Sequence, residues 1–195
     1  ERSFTYITTT MTTQQTTDSS RDRIVNAALE LFAENGYDRT PISAIAKRAD
    51  VAQGLLYRYF SGKEALLREI IQARFSEVLA TIAIDPYAEL HEKLEAYLTN
   101  VVTSIKENRR FWSLFYGLRG QPILQQVLGE DFAAMQVQII DSLATFFDPR
   151  GLHSDRTEAF LLFSMVDGIC TNYVLAPEGS FPIDEITECL ISKYR

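Results

Sequence analysis

The run Ala52-Gln53-Gly54-Leu55-Leu56-Tyr57-Arg58-Tyr59-Phe60 gathers a carboxamide, two phenols and a guanidinium into nine residues. Gln53 carries a donor and an acceptor side by side, the pattern that matches a base edge in a major groove, adenine above all. Gly54 has no side chain and lets a backbone come close, and Leu55 can pack on a thymine methyl. Tyr57 and Tyr59 offer hydroxyls to phosphate oxygens, and Arg58 and Lys63 supply positive charge. Leu56 and Phe60 fall on the other side of a helical wheel and belong in a core. Each of these polar groups has a plainer reading too: half-buried rings for Tyr57 and Tyr59, solvated charge for Arg58, an ion pair for Lys63. Catalytic chemistry is missing. Two histidines, His91 and His153, stand alone, and Cys170 and Cys189 have no metal-ligand spacing. There is no Glu-x-x-His pair and no phosphate-binding glycine loop. No metal or cofactor is expected, and no enzyme.

Side chains that read DNA need a rigid support, and the pattern supplies one helix after another. Ile24, Ala27, Ala28, Leu31 and Phe32 recur at helical spacing up to Gly36. Thr40-Pro41 reads as cap and first residue of a second short helix with Ile42, Ile45, Ala46 and Ala49 on one face. The helix start, with Thr40 and Ser43, presents unpaired N–H groups to a phosphate. Asp50 suits a left-handed turn, and a third helix covers Ala52 to Phe60. Two short helices joined by a tight turn form a helix-turn-helix. Ser61 and Glu64 fit a capping box for a helix of about twenty residues. Asp85-Pro86 repeats the cap-then-proline signature. Further helices are expected over Arg109–Leu118, over Ile123–Phe147 in one or two pieces, and over about 155–175. The last starts near Pro182. No alternating strand pattern survives, so the fold class is all-α.

The run Ile24–Leu67 resembles the DNA-binding domain of the tetracycline-repressor-like (TetR) family. The matching residues are Ala28-x-x-Leu31-Phe32, Gly36-Tyr37, Thr40, Ile45-Ala46, Val51, Gly54-x-Leu56-Tyr57-x-Tyr59-Phe60 and Lys63-Glu64-x-Leu66. Asp167-Gly168 inside a later apolar helix is a weaker echo. The resemblance implies a homodimer with N-terminal DNA-reading and C-terminal ligand-binding and dimerisation parts, and repression relieved by a small molecule. Three positions depart from the family: Asp50 for glycine, Ala52 for a capping serine, and Leu55 for a small residue. The last bears on which operator is read. The expected division is a flexible arm at 1–18, a helix-turn-helix domain at 19–66 and a ligand-binding and dimerisation domain at 67–195. DNA contacts are expected from Thr40, Ser43, Gln53, Gly54, Leu55, Tyr57, Arg58, Tyr59 and Lys63, on double-stranded palindromic operator DNA.

Net charge is −7, yet its placement is uneven: residues 1–82 hold ten basic and ten acidic groups, and 83–195 hold nine and sixteen. The first part is the one that can approach a polyanion. The second is rich in rings. Phe111, Trp112, Phe115, Tyr116, Phe163, Asp167 and Tyr173 are expected around an apolar cavity for a small, largely apolar or aromatic effector, with Asn172, Gln136 and Gln138 as further polar groups. Phe146, Phe147 and Phe160 add rings that pack a core equally well. Asp167 either meets a cationic ligand or holds a neighbouring helix. The apolar stretch Ala159–Ala176 nears a membrane span in length, but Asp167 and Asn172 favour a buried helix in a soluble, cytoplasmic bundle. That helix and the last one, with Ile183, Ile186, Leu190 and Tyr194, are expected to form the dimer interface. The alternatives are a helical ligand-binding or interaction protein without DNA binding, and an activator of the same fold.

Overall fold

The first helix begins where its backbone finds partners. Ser19 Oγ accepts from Asp22 N at 3.2 Å, and the Asp22 carboxylate accepts from Ser19 N at 3.2 Å. This reciprocal cap opens α1 (Ser20–Asn35), and Gly36, at φ 84°, closes it. The structure, a computed structural model, describes residues 19–193 except 83, 86 and 148–155. The expected N-terminal arm, His153, the turn at 148–151 and Tyr194 lie outside the described residues. Ile24, Ala27, Ala28, Leu31 and Phe32 are buried on one face of α1, as their spacing predicts.

Two short helices follow, α2 (Ile42–Arg48) and α3 (Gln53–Tyr59), with Asp50 between them at φ 53°. The left-handed turn is therefore where the sequence places it. The start of α2 differs from expectation. Pro41, not Thr40, takes the capping position, and Thr40 turns inward. Its side chain is 1% exposed, and its hydroxyl reaches Leu31 O (3.1 Å) and Gly36 O (2.8 Å). Carbonyls at the end of α1 draw the hydroxyl inward. Ala52 gives α3 no side-chain cap, as expected of an alanine at that position.

The long helix α4 (Lys63–Ile82) leads to α5 (Leu90–Glu107). Asp85 does not cap α5. Its Oδ1 accepts from Tyr87 N at 2.9 Å in a local turn, and α5 begins five residues later, where Glu89 N donates to Glu92. Then come α6 (Arg109–Leu118), α7 (Pro122–Leu128) and α8 (Glu130–Phe147). Gly129, at φ 53°, splits the last two. Finally α9 (Arg156–Leu175) and α10 (Ile183–Ser192) close the chain, and Lys106 Nζ binds Asp184 Oδ1 at 2.6 Å to tie α5 to α10. Ten helices and no strand occur among the described residues.

Two cores hold this arrangement. One joins α1–α3 and the start of α4 to Phe111, Leu114 and Leu118 of α6 and to α7. The other joins the end of α4 to α5, α8, α9 and α10. Trp112 packs against both. The helix α9 is long and apolar enough to cross a membrane, by length and composition only, yet just 28% of its most apolar window is buried. The sequence leads one to expect a buried helix; one side of α9 instead remains uncovered in the single chain. Replacing Thr40 by valine keeps the shape and removes the hydroxyl. We expect denaturant unfolding of Thr40→Val to show a loss of about 1–3 kcal/mol with an unchanged slope.

Candidate functional site

Helical spacing sorts α3 into faces. Leu56 is fully buried and Phe60, four residues on, is 5% exposed, so this edge belongs to the core. Gln53 and Tyr57 share an adjoining face, and Gly54 and Arg58 the next; all four are exposed. Tyr57 and Tyr59 keep 51% and 41% of their surface open, while Leu55 is half-buried. The Arg58 guanidinium lies 5.7 Å from the Tyr59 ring centroid. A Cβ built on Gly54 meets nothing within 4 Å.

Other expected contacts are placed differently. The buried hydroxyl of Thr40 already has two carbonyl acceptors, so its side chain is not available to a phosphate. Lys63 is half-buried, and its ammonium donates to Tyr37 O (2.9 Å) and Asp38 O (3.2 Å) while sitting 4.5 Å from the Tyr37 ring centroid. Two of its three protons thus fasten the α1–α2 connection to the start of α4, and one remains. Burial pushes the Tyr37 phenol up to about 12, with Glu64 and Asp38 adding to it. Ser43 is exposed on α2, and Lys47, one turn on, shares its face. Lys47 carries no signal of this in the sequence, because a lone lysine on a short helix reads as solubility. Arg48 is paired with Glu30 and Glu34, and Arg21 with Glu69, whereas Lys47 and Arg58 have no carboxylate partner among the described residues.

A cavity of about 100 Å³ lies among α4, α5, α6, α8 and α9. Six of the seven residues expected around it are there: Phe111, Trp112, Phe115, Tyr116, Phe163 and Asp167. Tyr173 is not. It lies beyond the cavity under the Arg109 guanidinium (5.2 Å), whose Nη2 donates to Ala176 O at 2.9 Å, because α6 begins there and closes that end. Asn172 and Gln138 are exposed, Asn172 donating to Gly168 O, while Gln136 lines the cavity. Phe146 packs with Tyr97 in the core, and Phe160 is exposed beside Arg156. The rest of the wall, including Ile71, Phe75, Phe132 and Met135, follows the same periodicity as core residues, so nothing in the sequence separates the two roles.

The cavity's chemistry is nearly neutral. Arg119 Nη1 binds Asp167 Oδ2 at 2.5 Å, joining α6 to α9, and Tyr116 OH lies 3.4 Å from Asp167 Oδ1. Asp167 thus ties α9 to α6 while lining the cavity. Burial raises the Tyr116 phenol far above its ordinary value. Burial also pushes the Cys170 thiol up to about 12, with Asp167 adding to it. Both groups therefore remain protonated at neutral pH.

Residues 24–70 match the family model for bacterial regulatory proteins, tetR family. The fatty acid metabolism regulator protein of Bacillus subtilis is 38% identical over 63 residues, 32% of this chain and 32% of that protein. The match thus spans about a third of that relative's length. The transcriptional regulator AcrR of Shigella flexneri is 26% identical over 180 residues, covering 86% of this chain and 84% of that one. In three dimensions the chain is similar to FadR from Bacillus subtilis in complex with stearoyl-CoA, at TM-score 0.67 and 22% identity, covering 87% of this chain and 95% of that one. This last likeness establishes the fold.

The open space above Gly54 separates folding from contact with a partner. Gly54→Ala should leave stability unchanged or raise it by up to about 1 kcal/mol, since alanine is the better helix former. Its methyl should nevertheless weaken binding to operator DNA. Thermal unfolding and equilibrium DNA titration of the same preparation check both halves.

Proposed function

Because the chain belongs, through its N-terminal residues, to the tetR family of bacterial regulatory proteins, we propose that it is a sequence-specific DNA-binding transcriptional regulator, a repressor released by a small, largely apolar or aromatic ligand. The observation that carries this reading is the outward set of Gln53, Gly54, Tyr57 and Arg58 on a helix whose opposite edge is locked in a core. In this reading Gln53 and Leu55 meet base edges. Tyr57, Tyr59, Arg58, Ser43 and Lys47 meet the phosphate backbone, and the remaining proton of Lys63 adds a further contact. The helix-turn-helix domain occupies 19–66 and the sensing domain 67–195. The protein works in the cytoplasm, where the DNA is, and no catalytic step is required of it.

It acts as a homodimer. The uncovered side of α9 presents Leu161, and Met165 and Ile169 of the same helix line a groove with Ile186 and Cys189 of α10. A second copy placed on this face about a two-fold axis covers it and sets two copies of α3 on a palindrome, about 34–36 Å apart or at a related spacing.

Release runs through α6. Leu114 and Leu118 pack into the core shared with α1, and Phe115, Tyr116 and Arg119 of the same helix face the cavity. Glu30 of α1 lies 2.9 Å from Arg48 and 4.0 Å from Arg110 of α6. The cavity, at about 100 Å³, is small beside the roughly 300 Å³ at the lower end of ordinary ligand sites. An occupant of ordinary size therefore has to spread its walls, and it favours the conformation in which α6 has shifted. The relative named for fatty acid metabolism and the fold neighbour holding stearoyl-CoA make acyl chains one apolar class to try.

Selection of bound duplexes from a random pool, followed by competition with lipophilic compounds, tests the whole reading. We expect a palindromic sequence to be enriched, its affinity to fall steeply with salt, and at least one apolar ligand to release it. Absence of any enriched sequence would leave a helical ligand-binding protein without DNA activity. A reporter driven by the selected site separates repression from activation.

A further inference from the structure

Trp112 is the chain's single tryptophan, and its indole lies in the wall of the cavity. Rings surround it. Tyr116 is stacked at 5.8 Å, with Phe111 and Phe115 edge-on at 5.0 and 5.9 Å. An aromatic cage of this kind satisfies the indole's apolar surface through ring faces and edges, which do not satisfy its N–H. Trp112 Nε1 is buried and has no hydrogen-bond partner among the described residues. A buried donor without an acceptor is costly and uncommon in native structures.

The other polar groups at the cavity do not offer it one. Asp167 faces Arg119 and Tyr116. The Tyr116 hydroxyl, the Cys170 thiol, Ser104 and the Gln136 carboxamide also line the cavity, and none of them hydrogen-bonds to the indole. Among the described residues the full charges in the lining are Arg119 and Asp167, which neutralise each other. A cationic or anionic occupant would therefore bury its charge against aromatic and aliphatic carbon with no free counterion. An occupant with no polar atom would leave the indole N–H as it is.

We propose that the cavity is built for an uncharged, largely apolar molecule bearing one carbonyl or ether oxygen, and that Trp112 Nε1 donates to that oxygen. This rests on the ligand-sensing reading above and adds to it the polarity of the ligand and the residue that selects it. Trp112 packs against both cores. A ligand held by this indole thus pulls on a ring of α6 that packs against both cores.

Four small molecules on one bicyclic skeleton separate the possibilities: indane, 1-indanone, 1-aminoindane and indane-1-carboxylate. Calorimetric titration of the full chain at pH 7 gives their affinities, and the fluorescence of Trp112, free of any other indole, reports whether the site is this one. We expect 1-indanone to bind about tenfold tighter than indane, and both charged analogues to bind more weakly than indane. In Trp112→Phe, which keeps a ring and loses the N–H, 1-indanone should fall to the level of indane while indane changes little. Gln136→Leu, altering another polar group of the lining, should keep the preference for the ketone. Equal binding of indane and 1-indanone to the parent protein, or a preference that survives Trp112→Phe and vanishes in Gln136→Leu, overturns the assignment while leaving a ligand site in place. Tighter binding of either charged analogue overturns it as well. Failure of all four to bind overturns this assignment, while release of the selected duplex by lipophilic compounds decides the sensing reading separately.

Discussion

A seven-residue helix has no stability of its own in water, since nucleating it fixes several residues for very few hydrogen bonds. The helix α3 exists because Leu56 and Phe60 are driven into the core formed by α1, α2 and the start of α4. Everything on its outer face depends on that anchorage. Gln53 and Tyr57 point outward because Leu56 points inward, and a slip of one residue would bury one set and expose the other. Around this anchor the chain uses its polar groups as fasteners. Thr40 binds the end of α1, and Lys63 holds the α1–α2 connection against α4. A residue of suitable chemistry near the DNA-facing surface is thus already engaged in building that surface.

The same economy appears at the junction of the two halves. Because α6 supplies side chains to the core around α1 and to the cavity wall, a change of cavity shape that moves α6 is felt directly by the core that holds α1–α3. Trp112 stands at the meeting point. The Arg119–Asp167 pair fixes α6 to α9 on the other side, so α6 is held between the sensing core and α1. Helices packed this closely move as units between discrete arrangements. That is the physical basis on which the proposed signal would pass from the apolar cavity to the outer face of α3.

Much of this was legible in the sequence. The left-handed Asp50, the broad apolar stripe of α4 and the inward pair Leu56 and Phe60 all follow from local sterics and helical period, and these act over a few residues. Aromatic clustering points to five of the cavity residues and the carboxylate in an apolar helix to Asp167, yet Tyr173 continues the same helical face and lies outside, because only the packing of α6 against α9 decides where the cavity stops. Asp85 and Thr40 carry sound capping chemistry and use it elsewhere, one in a local turn and one on carbonyls of a preceding helix. The partner of Asp167 is 48 residues away and cannot be read from spacing. Sequence pattern thus specifies faces, and tertiary contact decides which polar group a face ends up serving.

The central claim is that the outer face of α3 enters double-stranded DNA. Amide hydrogen exchange of the full chain, with the selected duplex and with a scrambled duplex of equal length, tests it most directly. Slowed exchange over residues 53–59 and the first turn of α2, present with the selected duplex and weaker with the scrambled one, is the predicted result. Unchanged exchange there, with protection appearing instead on α9 and α10, would contradict the account.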